Sequence, residues 1–250
     1  MAGKSTQSNN RGADLFGYFV SGKDRQFHTN EFADSYVEPI YGSPSGHTAT
    51  GGVVNDFINS EDGKIYRTHV FTSSGSFDIS ALSPTYDANV EYLVVAGGGG
   101  GGAQGAGAGG GGAGGLRTNL PGVQTAGGTP LTGAAFPVST TSYPVVIGAG
   151  GEGGSGPSYG HFGYRGGNTT FGPIIATGGG GGGATNGSSS PPGPGGSGGG
   201  RGGNEPPSGG DPGPYTGNTP PFSPIQGHNG GERTTNYYAG GGGGAGAVGS

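Results

Sequence analysis

Cysteine and tryptophan are absent from this 250-residue chain, and methionine occurs once. Without thiols there is no disulfide framework, no thiolate zinc site and no cysteine nucleophile. Apolar residues make up only 28% of the chain, well below the usual share, which excludes a conventional hydrophobic core spanning its length. No run approaches the roughly 18 apolar residues of a membrane-spanning helix. Met1-Ala2-Gly3-Lys4-Ser5 has no apolar signal stretch, and Ala2 stands where myristoylation requires glycine. The expectation is a soluble product that neither inserts into a membrane nor uses the usual secretion route. Charge is sparse as well. The net charge of -5 arises before Gly97, where eleven acidic residues face six basic ones; the remainder holds four of each. Neither part has the basic character of a nucleic-acid binder.

What is present is glycine. Of 68 glycines, 58 lie in the 154 residues from Gly97 onward, a composition that disfavours both helices and ordinary strands. The transition is abrupt. Val90-Glu91-Tyr92-Leu93-Val94-Val95-Ala96 reads as a buried strand that runs straight into Gly97 to Gly102, and Tyr143 to Ile147 and Phe171 to Thr177 lead into glycine in the same way. Three strand-to-glycine junctions amount to an internal repeat of architecture.

Composition divides the chain into an N-terminal arm and attachment segment (1–50), a small antiparallel β domain (51–96) and a glycine-rich body (97–250). In the arm, Leu15, Phe16, Tyr18 and Phe19 lie in one short apolar patch suited to docking, and Pro39 and Pro44 break any long helix. In the β domain, Gly52 to Phe57, Ile65 to Thr72 and Phe77 to Ile79 read as strands, with Asp62-Gly63 and Ser73 to Ser76 as turns.

A Gly-rich segment is by default a flexible linker. Ordering 154 residues costs on the order of 150 to 300 kcal/mol of backbone entropy, and few side chains are present to offset it. The backbone itself can compensate. In an extended helix of three residues per turn, glycine presents N–H and C=O groups sideways and lets neighbouring helices approach closely, each hydrogen bond contributing about 0.5 to 1.5 kcal/mol. Recurring Val-Val and Ile-Ile segments and spacers at chain-reversal distances favour this ordered form. Gly does not recur at every third position, which excludes collagen. The expected fold is mainly β and non-regular: a small β domain followed by a bundle of polyglycine II helices.

The succession Val70 to Phe77, Val90 to Gly99, Tyr143 to Gly151, Gly166 to Gly172 and Ala176 to Gly180 resembles the glycine-rich domain of bacteriophage tail-fibre and related virion proteins, over about residues 65–250. The resemblance implies a structural protein of a virion, made in the host cytoplasm without a signal peptide. Some relatives are tail-tip adhesins built as a polyglycine II sandwich whose loops meet the host. The expected partners are other virion subunits and a host-surface saccharide or outer-membrane protein, within an oligomeric or larger assembly. An architectural capsid or tail decoration, and an extracellular filament or matrix protein, are the rival readings.

Several motifs imitate chemistry. Gly148-Ala149-Gly150-Gly151-Glu152-Gly153 matches the dinucleotide fingerprint, but Gly154-Ser155-Gly156-Pro157 cannot start the helix that would hold a pyrophosphate. Arg165-Gly166-Gly167 and Arg201-Gly202-Gly203 are two RGG-like copies in a neutral setting, too few for RNA binding. The five histidines show no metal-ligand spacing and the carboxylates no catalytic pairing, so a non-enzymatic protein without metal or cofactor is expected. The informative cluster lies in the spacer 157–165 and comprises Tyr159, His161, Phe162, Tyr164 and Arg165, with Tyr215, Phe222, Tyr237 and Tyr238 as further ring candidates. Rings beside polar groups suit saccharide recognition. Equally, they suit packing over the edge of the glycine body, and the residues alone leave both open.

Overall fold

The computed structural model describes residues 46–60, 62–103, 107–155, 161–184, 193–203, 215–232 and 238–250. The expectations for Leu15, Phe16, Tyr18, Phe19, Tyr159 and Tyr237 lie outside these residues. Within them the chain is strand and non-regular structure with no helix.

Eleven short strands occur: β1 (Thr48–Thr50), β2 (Val53–Ile58), β3 (Ile65–Val70), β4 (Gly75–Ala81), β5 (Asn89–Val90), β6 (Leu93–Val95), β7 (Leu116–Thr118), β8 (Phe136–Pro137), β9 (Ser142–Val146), β10 (Thr169–Phe171) and β11 (Ile174–Ala176). The largest sheet has the order β1-β4-β9-β10-β11; β2 pairs with β3, β5 with β8 and β6 with β7. The strands of 51–96 therefore do not form one antiparallel unit. Only the β2–β3 ribbon pairs within that span, and β4, β5 and β6 find partners further along the chain.

Two expected strands are subdivided. Val90 to Ala96 breaks because the Asn119 side chain takes up its middle, accepting from Tyr92 N–H (2.8 Å) and donating to the Val90 carbonyl (2.9 Å). Val94 and Ala96 are buried there while Leu93 and Val95 face outward. Phe171 to Thr177 holds a hairpin, β10–β11, turning at Gly172-Pro173. Gly172 takes φ +52°, open to glycine without strain, and the proline ring fixes the next φ near -65°.

The core is aromatic. Phe77, Ile79, Val138 and Val145 are buried beneath Phe71, Val90, Phe136 and Tyr143, and Val94, Ala96 and Ala176 form a second cluster; Phe171 packs against both. The Phe171 ring lies 5.2 Å from Phe136 and 5.8 Å from Phe77, each edge to face, an arrangement contributing about 0.5 to 1.5 kcal/mol per pair beyond area burial.

The glycine runs grow out of this core without losing register. In β6–β7, Leu93 faces Thr118 and Val95 faces Leu116. Beyond the strand ends the same alignment continues, with Ala96 N–H donating to Gly115 (3.0 Å), Gly99 to Gly112 (2.8 Å) and Gly102 to Gly109 (2.9 Å). The β9–β10 alignment continues as Gly167 to Ala149 (2.7 Å) and Tyr164 to Glu152 (2.8 Å), and that of β10–β11 as Gly166 to Gly179 and Gly163 to Gly182, both 2.9 Å. The interval between these donors is three residues, whereas a pleated ladder repeats every two. One strand face is thus replaced by three directions of bonding, and each run can serve several neighbours.

Runs 148–154, 97–103, 107–115 and 238–244 lie side by side, joined for example by Gly151 to Gly98 (2.8 Å) and Gly110 to Gly240 (3.1 Å). Against them lie 161–167, 177–184, 197–203 and 226–232, joined by Gly163 to Gly182, Gly183 to Gly200 and Gly198 to His228, each 2.9 Å. Bonds such as Gly100 to Tyr164 (2.9 Å), Gly112 to Gly180 (2.8 Å) and Gly243 to Gly198 (2.8 Å) cross between the two layers. The 177–184 run is buried throughout. A Cβ added at Gly180 would fall on the Gly193 carbonyl oxygen, so only glycine permits this spacing.

Candidate recognition surface

His161, Phe162, Tyr164 and Arg165 belong to the glycine body itself and not to a spacer beside it. The carbonyls of His161 and Tyr164, three residues apart, accept from Ala103 (2.7 Å) and Gly100 (2.9 Å), while Tyr164 N–H donates to Glu152. With the backbone held on both sides, Tyr164 and Arg165 are exposed while His161 and Phe162 are half-buried. Tyr164 is 55% exposed, and its ring lies 5.5 Å from the half-buried Phe162 ring. Arg165 is exposed and donates through Nε to the Gly178 carbonyl (3.4 Å). The three-residue spacing of His161, Tyr164 and Gly167 is a sequence signal for this placement, because residues three apart share a bonding direction in such a run.

The other candidates separate by burial. Tyr238 is 67% exposed. Tyr215 is 5% exposed and its carbonyl accepts from Gly230 (3.0 Å), so its ring is a packing element. Phe222 is half-buried under the Arg117 guanidinium, 4.2 Å from the ring centroid; the pair contributes about 0.5 to 2 kcal/mol.

A second exposed surface, not marked as a site by the sequence pattern, is the β2–β3 ribbon. All six residues of β2 are exposed. Arg67 holds Asp56 through two 2.8 Å bonds, and this hydrogen bond lowers the Asp56 pKa below its ordinary value. At the root, His69 Nδ1 lies 2.7 Å from the Gly51 carbonyl and its ring meets Phe77 edge-on at 4.9 Å. A shallow cleft of about 430 Å³ opens there, lined by residues that include Thr72, Ser73, Ser74, Ser76 and Asp78. Hydrogen bonds from Ser142 and Ser76 lower the Asp78 pKa. Among the described residues no three His, Asp or Glu gather as metal ligands would.

The model of a glycine-rich domain family matches residues 72–250, most of the chain. The chain belongs to that glycine-rich domain family. No curated protein and no solved structure matches it.

Proposed function

We propose that this chain is a non-enzymatic structural protein of a phage virion, a tail-fibre or tip adhesin whose glycine runs are polyglycine II helices. The observation that carries the reading is the three-residue interval of backbone hydrogen bonds between neighbouring runs, the interval expected of extended helices with three residues per turn. Such a body is stiffened by its backbone and leaves its few side chains free for display. Tyr164, Arg165 and Tyr238 are displayed, and a ring next to a guanidinium in the chain, as at Tyr164-Arg165, suits a host-surface saccharide or the polar rim of an outer-membrane protein. In this reading the end bearing the β2–β3 ribbon faces other virion subunits. Locating the chain in intact particles by cryo-EM tests it: density at a distal fibre tip is the expected result, and a position on the capsid, or absence from the particle, overturns it.

One observation favours an architectural spacer without receptor binding. Tyr215 is buried and Phe222 is covered by Arg117, so part of the ring set stabilises the body and does not recognise a partner. In that case particles lacking the exposed rings adsorb normally.

A further inference from the structure

The β2–β3 ribbon leaves six large apolar side chains exposed: Val53, Val54, Phe57, Ile58, Ile65 and Val70. Its register sorts them. Val53 faces Val70, Asn55 faces Thr68 and Phe57 faces Tyr66 on one side, while the other carries Val54, Ile58 and Ile65 together with the Asp56–Arg67 ion pair and His69. The second side turns toward the body at its root, where His69 meets Phe77. The first takes no charged residue from either strand, although the Tyr66 hydroxyl at its far end donates to the Asp62 carboxylate (2.8 Å); it stacks Phe57 on Tyr66 at 5.6 Å and leaves Val53 67% and Val70 51% exposed. A two-stranded ribbon is marginal by itself in water, and the exposed apolar side chains Val53, Phe57 and Val70 on its uncharged face offer a surface for another element to cover.

The sequence ahead of the ribbon supplies an element that fits. Forty-five residues precede Gly46, which stands two residues before β1. Within them Leu15-Phe16-Gly17-Tyr18-Phe19-Val20 has the six-residue length of β2, carries no charge, and is apolar at both alternating sets of positions. The intervening residues 21–45 reach up to about 80 Å when extended, several times the roughly 20 Å length of the ribbon. A segment on so short a tether competes for this face at an effective concentration on the order of millimolar, ahead of any other chain.

We propose that Leu15–Val20 of the same chain docks on the Val53, Phe57, Tyr66 and Val70 face of the ribbon. The partner of Leu15, Phe16, Tyr18 and Phe19 is then the chain's own ribbon rather than a neighbouring subunit. This holds whether or not the protein is a virion component.

The absence of cysteine makes the test direct. A Val53→Cys chain carries a single thiol, whose alkylation is compared in the full chain and in the same chain with Leu15→Asp and Phe19→Asp. If docking covers Val53, alkylation in the unaltered arm is at least about tenfold slower, reflecting the opening equilibrium, on a particle of monomer mass and at every protein concentration. Equal rates in the two chains overturn the proposal. So does protection that grows with concentration, which assigns the face to a second copy. A further variant, Phe19→Cys with Val53→Cys, does not depend on the aspartates being tolerated: a short thiol crosslinker is expected to join the pair within one chain, and joining between chains overturns the proposal.

Discussion

The side-chain oxygen of Gln226 accepts the backbone N–H of Thr177 at 2.9 Å, joining positions 49 residues apart in a place where both side chains are buried. Gln226 also donates through Nε2 to Pro220 (3.1 Å), and its carbonyl accepts from Leu116 (2.8 Å). It therefore binds the end of β11 and the start of β7 to the last third of the chain. Gln226→Leu leaves the buried Thr177 donor without its partner, at about 1 to 3 kcal/mol, while the carbonyl of the exposed Pro220 is left to water. The expected outcome is a clear fall in Tm, with amide exchange accelerating first at Thr177.

Substitutions of glycine should divide by position. At Gly180 a Cβ collides with the Gly193 carbonyl and also lies 2.9 Å from Gly199 N, backbone that cannot step aside. At Gly153 it meets nothing nearer than the Gly101 oxygen at 3.7 Å. Gly180→Val should therefore separate the runs and abolish cooperative unfolding. Gly153→Ala should be neutral or stabilising by about 0.5 kcal/mol, since alanine lowers the entropy of the unfolded chain. Equal damage from both, measured by thermal melts, would sink the steric account.

The exposed and buried rings should behave oppositely. Tyr164→Ala with Tyr238→Ala removes two exposed rings and is expected to abolish adsorption to host cells while leaving stability within about 0.5 kcal/mol. Tyr215→Ala empties a buried site, with a cost of about 3 kcal/mol. Normal adsorption by the double variant makes the architectural reading the better one.

Acid should act on the ribbon before it acts on the glycine body. Arg67 lowers the Asp56 pKa below its ordinary 3.8, so the pair's stabilisation is present above that value and is lost as pH falls through the lowered one. The contribution of an exposed pair is about 0.2 to 1 kcal/mol. Amide exchange in β2 and β3, corrected for intrinsic rates, should rise below pH 3.8, while the backbone-paired runs hold. Asp56→Asn should reduce that pH dependence and leave the part due to Asp62 in the turn, whose pKa is lowered by hydrogen bonds from the Lys64 backbone and the Tyr66 hydroxyl.

Much of the strand pattern was legible because its causes are local. Ile65 to Val70 is a run of β-branched and aromatic residues, and its observed strand bounds lie within the expected stretch. The turn at Gly172-Pro173 and the break made by Asn119 were not. The first was hidden inside an apolar run, and the second depends on a side chain 27 residues from Tyr92. Within the recognition cluster, the sequence placed Tyr164 in a spacer, and the structure puts its backbone inside the glycine body.

The sequence by itself determined where apolar strands pass into glycine, at Gly97, Gly148 and Gly178, because the change from branched side chains to none is written residue by residue. The tertiary structure alone decided which runs became neighbours, why Gly180 has no alternative while Gly153 has room, and why Tyr215 is buried while Tyr238 is not. Glycine carries no side-chain pattern by which one run could select another. Selection falls instead to the register imposed by the strand pairs at the aromatic core, and that register exists only once residues distant in the chain have paired.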